Sequence, residues 1–254
     1  MQLVDVHCHL ESEAFQEGLD ETLEMARRAG VRKLITASVH PAQWALSAAL
    51  AARFKAVEFA VGVHPWYCPE EVMPHLSSLP EAAADAVAIG EIGLDSKTER
   101  FPLAWQIKVL IPQLRAACDL GLPVILHCRG AFNELLALFK KYGPPPGGVL
   151  HNFSGSPELA EQFMEYGLAF SMGGVLTWRN SAKRARVLRR IYPDHFLLET
   201  DAPDIPPVEA RGAINTPANI LYNLRAAAEL LDLPAEEVAE ATTRNATRIF
   251  KLRL

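Results

Sequence analysis

Eight short apolar runs, rich in Val, Ile and Leu, recur along the chain at residues 3–6, 33–39, 58–63, 86–90, 123–127, 148–151, 168–172 and 196–200. Runs of this length and composition suit strands buried on both faces. Amphipathic stretches of helical length lie between them, including residues 18–30, 41–54, 104–121, 131–143 and 156–167. Gly30 is placed to stop the first of these helices, and Ser156-Pro157 to cap and start the last. Pro112 falls inside the third and should kink it. Strand followed by helix, repeated with short links, is the pattern of a closed parallel barrel.

An open doubly wound sheet has the same alternation. Its dinucleotide-binding form needs a glycine-rich loop after the first strand. Here that link reads HCHLESEAF, which is different chemistry. The chain is therefore expected to be one α/β domain over residues 1–254, a (β/α)₈ barrel, and its 254 residues match the usual size of that fold, about 250. Two further helical stretches, 218–231 and 234–250, end the chain, and the second is expected outside the barrel. Residues 201–217 form a long loop, and such loops inside a compact domain usually carry function.

The net charge of −5 argues against nonspecific coating of nucleic acid, which relies on broad positive charge. It leaves room for an enzyme that grips a few phosphates locally. The start of the chain lacks the basic and apolar segments of a signal peptide, and no apolar run reaches the length of a membrane span. Cys8, Cys68, Cys118 and Cys128 show no pairing pattern and read as reduced thiols, so a cytoplasmic protein with no membrane partner is expected.

The His and acidic residues fall at strand ends. His7 and His9 follow the first run; residues two apart in extended chain point to one side, so both imidazoles reach one point. Glu91, His127, His151 and Asp201 each end or follow another run. Strand C-termini of a barrel converge on one rim, where active sites form. Five of the eight runs thus deliver ligand-type residues to one place. Six mixed nitrogen and oxygen donors exceed the four of a single zinc site. We expect His7, His9, Glu91 and Asp201 to hold one divalent ion, and Glu91, His127 and His151 a second, with Glu91 as the bridge. Imidazole with carboxylate suits zinc, manganese, iron or nickel, with magnesium bound more weakly by imidazole.

The same stretches carry a resemblance. DVHCHL (5–10), GVHPW (62–66), GEIGLD (90–95), LPVILHCRGA (122–131), GVLHNFSGS (148–156), LLETDAPDIPP (197–207) and TTRNATRIF (242–250) span essentially the whole chain. They resemble the TatD-like metal-dependent hydrolases of the amidohydrolase superfamily. The resemblance implies a TIM-type barrel, a binuclear divalent metal site on the six residues above, and phosphodiester hydrolysis, often of DNA. A metal hydrolase of the same fold acting on an amide, ester or aminoacyl-tRNA is the alternative.

For catalysis, Asp201 is expected to orient the attacking water and accept its proton. His64 could hold a phosphate oxygen, protonate a leaving group or fix a ligand. Arg129 is placed for a phosphate clamp, Asp95 for a substrate contact or for orienting an imidazole, and Ser154 with Gly155 for hydroxyl and backbone donors. Trp66, Tyr67 and Trp178 lie near strand ends where bases could stack. Between Arg179 and Arg190 there are six Lys or Arg and no acid. Arg179, Lys183, Arg186 and Arg190 would share one helical face, either solvated or guiding a nucleic-acid backbone. Oligomeric state is not read from the sequence.

Overall fold

The structure is a computed structural model and describes residues 1–178 and 182–254. Eight strands pair in parallel and in chain order: β1 (Leu3–Cys8), β2 (Val31–Ala37), β3 (Val57–Val61), β4 (Ala88–Asp95), β5 (Val124–Arg129), β6 (Gly148–Leu150), β7 (Leu168–Met172) and β8 (Phe196–Leu198). Around them lie α1 (Leu19–Arg28), α2 (Trp44–Arg53), α3 (Leu79–Ala82), α4 (Leu103–Leu120), α5 (Phe132–Tyr142), α6 (Pro157–Met164), α7 (Ala182–Ile191) and α8 (Ile220–Leu231), with α9 (Ala235–Phe250) last. This is the expected (β/α)₈ barrel.

The seam between β8 and β1 is closed by specific bonds. The buried Asp5 carboxylate accepts the Thr200 amide at 2.9 Å and the Thr200 hydroxyl. The Asp201 amide donates to the His7 carbonyl at 2.9 Å, and the His9 amide to the Ala202 carbonyl at 2.7 Å. One candidate ligand in β1, one just after it and one from the β8 loop are thus locked together through the backbone.

Boundaries differ from expectation where a strand runs on past its apolar run. β4 continues to Asp95, so Glu91 lies within it rather than at its end. Gly93 makes this possible. It has φ +148, and a Cβ there would sit 1.9 Å from the His127 carbonyl oxygen. Only glycine lets β4 lie this close to β5, and the closeness brings Glu91 and His127 into one site. α4 is a single helix that includes Pro112. The Ser156 side chain caps α6 by accepting the Leu159 amide at 3.3 Å, an arrangement worth about 1 kcal/mol.

The final helix departs from its expected place outside the barrel. Ala246, Phe250 and Leu252 pack into one cluster with Val4, Val6, Ile35 and Val149 from the barrel interior. The Thr243 hydroxyl donates to the Gln2 carbonyl, and Asn245 Nδ2 to the Phe196 carbonyl. Gln2 and Phe196 mark the N-terminal ends of strands, so α9 caps the bottom of the barrel and leaves the top free. Its apolar face is a plug rather than an outer coat. Among the described residues, no helix is long and apolar enough to cross a membrane.

Candidate metal centre

The six expected donors converge at the top of the barrel in two groups that share Glu91. In the first, His7 Nε2 lies 3.5 Å from Glu91 Oε2 and 3.4 Å from Asp201 Oδ1. His9 Nε2 lies 3.6 Å and 3.5 Å from the same two oxygens. An ion with bonds of about 2.1 Å in tetrahedral geometry spaces its ligands by about 3.4 Å. Each of the two imidazoles already stands at that spacing from both carboxylates. In the second group, Glu91 Oε1 is 3.3 Å from His127 Nδ1 and 2.8 Å from His151 Nε2, and the two ring nitrogens are 3.3 Å apart.

Hydrogen bonds on the far side of the rings test whether cations fit. His9 Nδ1 faces the Ala37 carbonyl at 2.8 Å, so it carries the proton and leaves a lone pair on Nε2. His127 Nε2 faces the Asp95 carboxylate at 3.2 Å, leaving a lone pair on Nδ1. Both lone pairs then point at carboxylate oxygens, which are also acceptors. Such an arrangement needs an extra proton on each ring or a shared cation. Buried His7 lacks a hydrogen-bond partner on either ring nitrogen among the described residues. The donor set fits two divalent ions.

The titration behaviour states the same demand for positive charge. Burial alone would raise the Glu91 carboxyl, but the imidazoles of His64, His151 and His7 hold it well below its ordinary range. Asp201 is likewise depressed, because the nearby imidazoles of His7 and His9 outweigh burial. Burial works against protonation of His151, yet Glu91 pushes it up to about 9. His9 is raised by Asp201 and Glu11 against the same burial cost. His7 goes the other way, down to about 4, through burial and the neighbouring His151. A cluster that draws protons onto buried imidazoles is one where a cation can take their place.

Comparison with known proteins decides the family. The family model described as TatD related DNase matches residues 4–251. The chain is 32% identical to the uncharacterized metal-dependent hydrolase YabD of Bacillus subtilis, covering 98% of this chain and 99% of that one. The chain belongs to the TatD-like hydrolase family. It is also 33% identical to the uncharacterized metal-dependent hydrolase YjjV of Escherichia coli, over 99% of this chain and 98% of that one. The crystal structure of YjjV superposes with a TM-score of 0.91 at 32% identity, covering 99% and 98% of the two chains. An organophosphorus hydrolase mutant from Deinococcus radiodurans, at 15% identity and TM-score 0.69, shares the fold. The protein is thus a metal-dependent hydrolase of the TatD-like type with a candidate binuclear centre.

Around this TatD-like centre lies an open cavity of about 1040 Å³. His64, Arg129 and Ser154 line it, as the sequence suggests, together with Trp66, Tyr67, Trp178 and Arg184. Asp95 does not line it. Asp95 is fully buried beneath His127, and its Oδ2 also accepts the Trp66 indole N–H at 2.7 Å. It therefore meets the His127 imidazole rather than the cavity. Bonds from His127, the Lys97 amide and Trp66 keep its carboxyl low despite burial. His64 turns to Glu91, with Nε2 at 3.2 Å from Oε1. In the basic stretch, Lys183 Nζ donates to the Ser154 carbonyl at 2.7 Å and Arg190 pairs with Glu161. Only Arg184, stacked on Trp178 at 5.6 Å, reaches the cavity from α7. Arg179 lies outside the described residues.

Two buried acids beside the donor imidazoles, Glu199 and Glu11, escaped the sequence reading. Glu199 accepts the Asn152 amide at 2.8 Å and bonds the Ser171 hydroxyl, with Oε2 3.9 Å from His151 Nδ1. Burial, reinforced by Asp201, pushes its carboxyl up to about 8 despite the opposing His151 charge. Glu11 is bonded by the Thr36 hydroxyl and stands 3.4 Å from His9 Nδ1. The period-two argument applied to His7 and His9 could have found Glu199, which lies two residues before Asp201 at the end of an apolar run.

Proposed function

We propose that the protein is a deoxyribonuclease that hydrolyses phosphodiester bonds with water activated between two divalent ions. The observation that carries this reading is the composition of one cavity. It joins five of the six metal-type donors, His9, Glu91, His127, His151 and Asp201, to two arginines, Arg129 and Arg184, and to exposed or half-buried aromatic rings, with His7 buried behind them. Cations suit phosphate oxygens, and aromatic faces suit bases.

Bound at the two donor groups, zinc, manganese, magnesium, nickel or iron would supply a water of lowered pKa and neutralise charge on the phosphoryl oxygens. The chain's own residues do the rest. Glu91 fixes the two donor groups relative to each other. Asp201, depressed and therefore ionised at neutral pH, is the proton acceptor for the attacking water. Asp95 and the Ala37 carbonyl keep His127 and His9 in the tautomers that point lone pairs inward. Arg129 and Arg184 hold phosphates beside the scissile one. Arg100, over Trp66 and Tyr67 at 5.9 and 5.3 Å, adds a cation beside those two rings.

The opposite wall favours a second reading. Glu11, Glu13 and Asp204 line the same cavity between β8 and β2. Acids there suit a substrate with a cationic group, such as an amide or ester of an amino compound. Metal-reconstituted enzyme should be offered single-stranded DNA labelled at either end, a chromogenic phosphodiester, and aminoacyl esters and amides. The first reading expects DNA shortening and phosphodiester turnover. Turnover of amides or esters alone would move the assignment to the second. We place the enzyme in the cytoplasm, where its four free cysteines stay reduced.

A further inference from the structure

Distance alone groups His64 with Glu91 and His127 as a set able to hold an ion. Its hydrogen bonds say otherwise. The Trp66 amide donates to His64 Nδ1 at 3.0 Å. Nδ1 therefore carries a lone pair, and the neutral ring carries its proton on Nε2. That nitrogen faces Glu91 Oε1 at 3.2 Å, so the contact is an N–H donating to a carboxylate. For His64 to bind an ion through Nε2, the proton would have to move to Nδ1, where it would meet the Trp66 N–H head on.

The same turn makes a second contact with the centre. Trp66 Nε1 donates to Asp95 Oδ2 at 2.7 Å, and that oxygen faces His127 Nε2 at 3.2 Å. One end of the turn holds the carboxylate shared by both groups. The other end, through Asp95, holds His127. The backbone secures the turn itself: the His64 amide donates to the Val39 carbonyl and the Tyr67 amide to the His64 carbonyl, both at 2.9 Å. Both side-chain contacts fall on the His127–His151 side. His7 and His9 touch neither residue's polar atoms in any hydrogen bond among the described residues.

We propose that the His64-Pro65-Trp66 turn is a positioning clamp for the second metal position, aiming Glu91 Oε1 and His127 Nδ1 while supplying no ligand of its own. This rests on the two-metal reading above. It assigns His64 and Trp66 an effect on one of two binding steps.

The test is calorimetric titration of Mn²⁺ into metal-stripped protein, for wild type, H64Q, H64A and W66F, with thermal melting to confirm folding. Gln retains an N–H near the Nε2 position; Ala does not; Phe removes only the indole N–H. Wild type should take up two ions per chain. H64A and W66F should weaken the second equivalent by roughly 10- to 100-fold, the usual effect of losing a group that orients a ligand, and leave the first unchanged. H64Q should bind like wild type. Equal loss of the second ion in H64Q and H64A would make His64 a ligand and overturn the proposal. Unchanged affinities in H64A and W66F with a raised KM for a phosphodiester would make the turn a substrate contact and also overturn it. Should H64A fail to fold, W66F and H64Q decide the matter. A wild type that binds fewer than two ions would instead sink the two-metal reading itself.

Discussion

Glu91 Oε1 lies 2.8 Å from His151 Nε2, while the other oxygen of the same carboxylate faces His7 and His9 at 3.5 and 3.6 Å. One buried side chain thus serves both halves of the centre. The strand that carries it runs against β5 only because position 93 has no side chain. Facing both donor groups is a property of β4 as a whole, and the behaviour of the centre should follow from it.

The role of Asp201 separates binding from chemistry. Asp201→Asn keeps an oxygen that can bind an ion but loses the ionised base. Turnover of a phosphodiester should fall by about 10²- to 10⁴-fold, with at least one ion per chain retained by elemental analysis. Full activity in this variant would remove Asp201 from the reaction.

Acidity should control loading. His151 is held up near 9 by Glu91 against the cost of burial, so at neutral pH it is protonated until an ion displaces the proton. Metal uptake at pH 7 should release protons, read as a dependence of binding heat on buffer ionisation enthalpy, and affinity should rise with pH toward 9. The linked stability has a definite sign. Folded-state pKa values raised above the unfolded ones, as for His151 and for Glu199 at about 8, contribute stability that is lost as pH climbs through them. Metal-free protein should therefore melt at lower temperature at pH 9 than at pH 6.5, and metal-loaded protein should change less.

Glu199 is predicted to matter for stability through its partners. Glu199→Leu strands the Asn152 amide and the Ser171 hydroxyl, which cost about 1–3 kcal/mol each when buried without an acceptor. Glu199→Gln keeps an oxygen for Asn152. Urea unfolding should show the Leu variant clearly less stable than the Gln variant; equal midpoints would mean these bonds contribute little.

Substrate charge should be read by Arg129 and Arg184. Ala at either position should raise KM for a single-stranded oligonucleotide with a smaller change in kcat. If each contacts one phosphate, each variant should lower the slope of log affinity against log salt by about 0.7. An unchanged slope in both would take the strand elsewhere.

Much of this was legible in the residue pattern. The strand–helix alternation specified the barrel, because buried parallel strands and covering helices have different hydrophobic periods. The grouping of the candidate donors was legible because barrel strands all end on one rim, so His7, His9, Glu91, His127, His151 and Asp201 needed no distances to be brought together. What the pattern concealed depends on contacts between distant segments. Glu199 acquires its place from Asn152, in the loop after β6, and from Ser171 on β7. Asp95 is drawn under His127 by the extension of β4, and His64 is turned by an amide two residues away. The plug formed by α9 was hidden because an amphipathic helix shows which face is apolar but not whether it covers the side of a barrel or its end.

The central claim is that two ions flank Glu91. Anomalous diffraction from crystals of the wild-type protein soaked in Mn²⁺ tests it most directly. We predict two peaks, one among His7, His9, Glu91 and Asp201 and one among Glu91, His127 and His151, with neither at full height in Glu91→Gln. A single peak, or two peaks that persist unchanged without the Glu91 carboxylate, would contradict it.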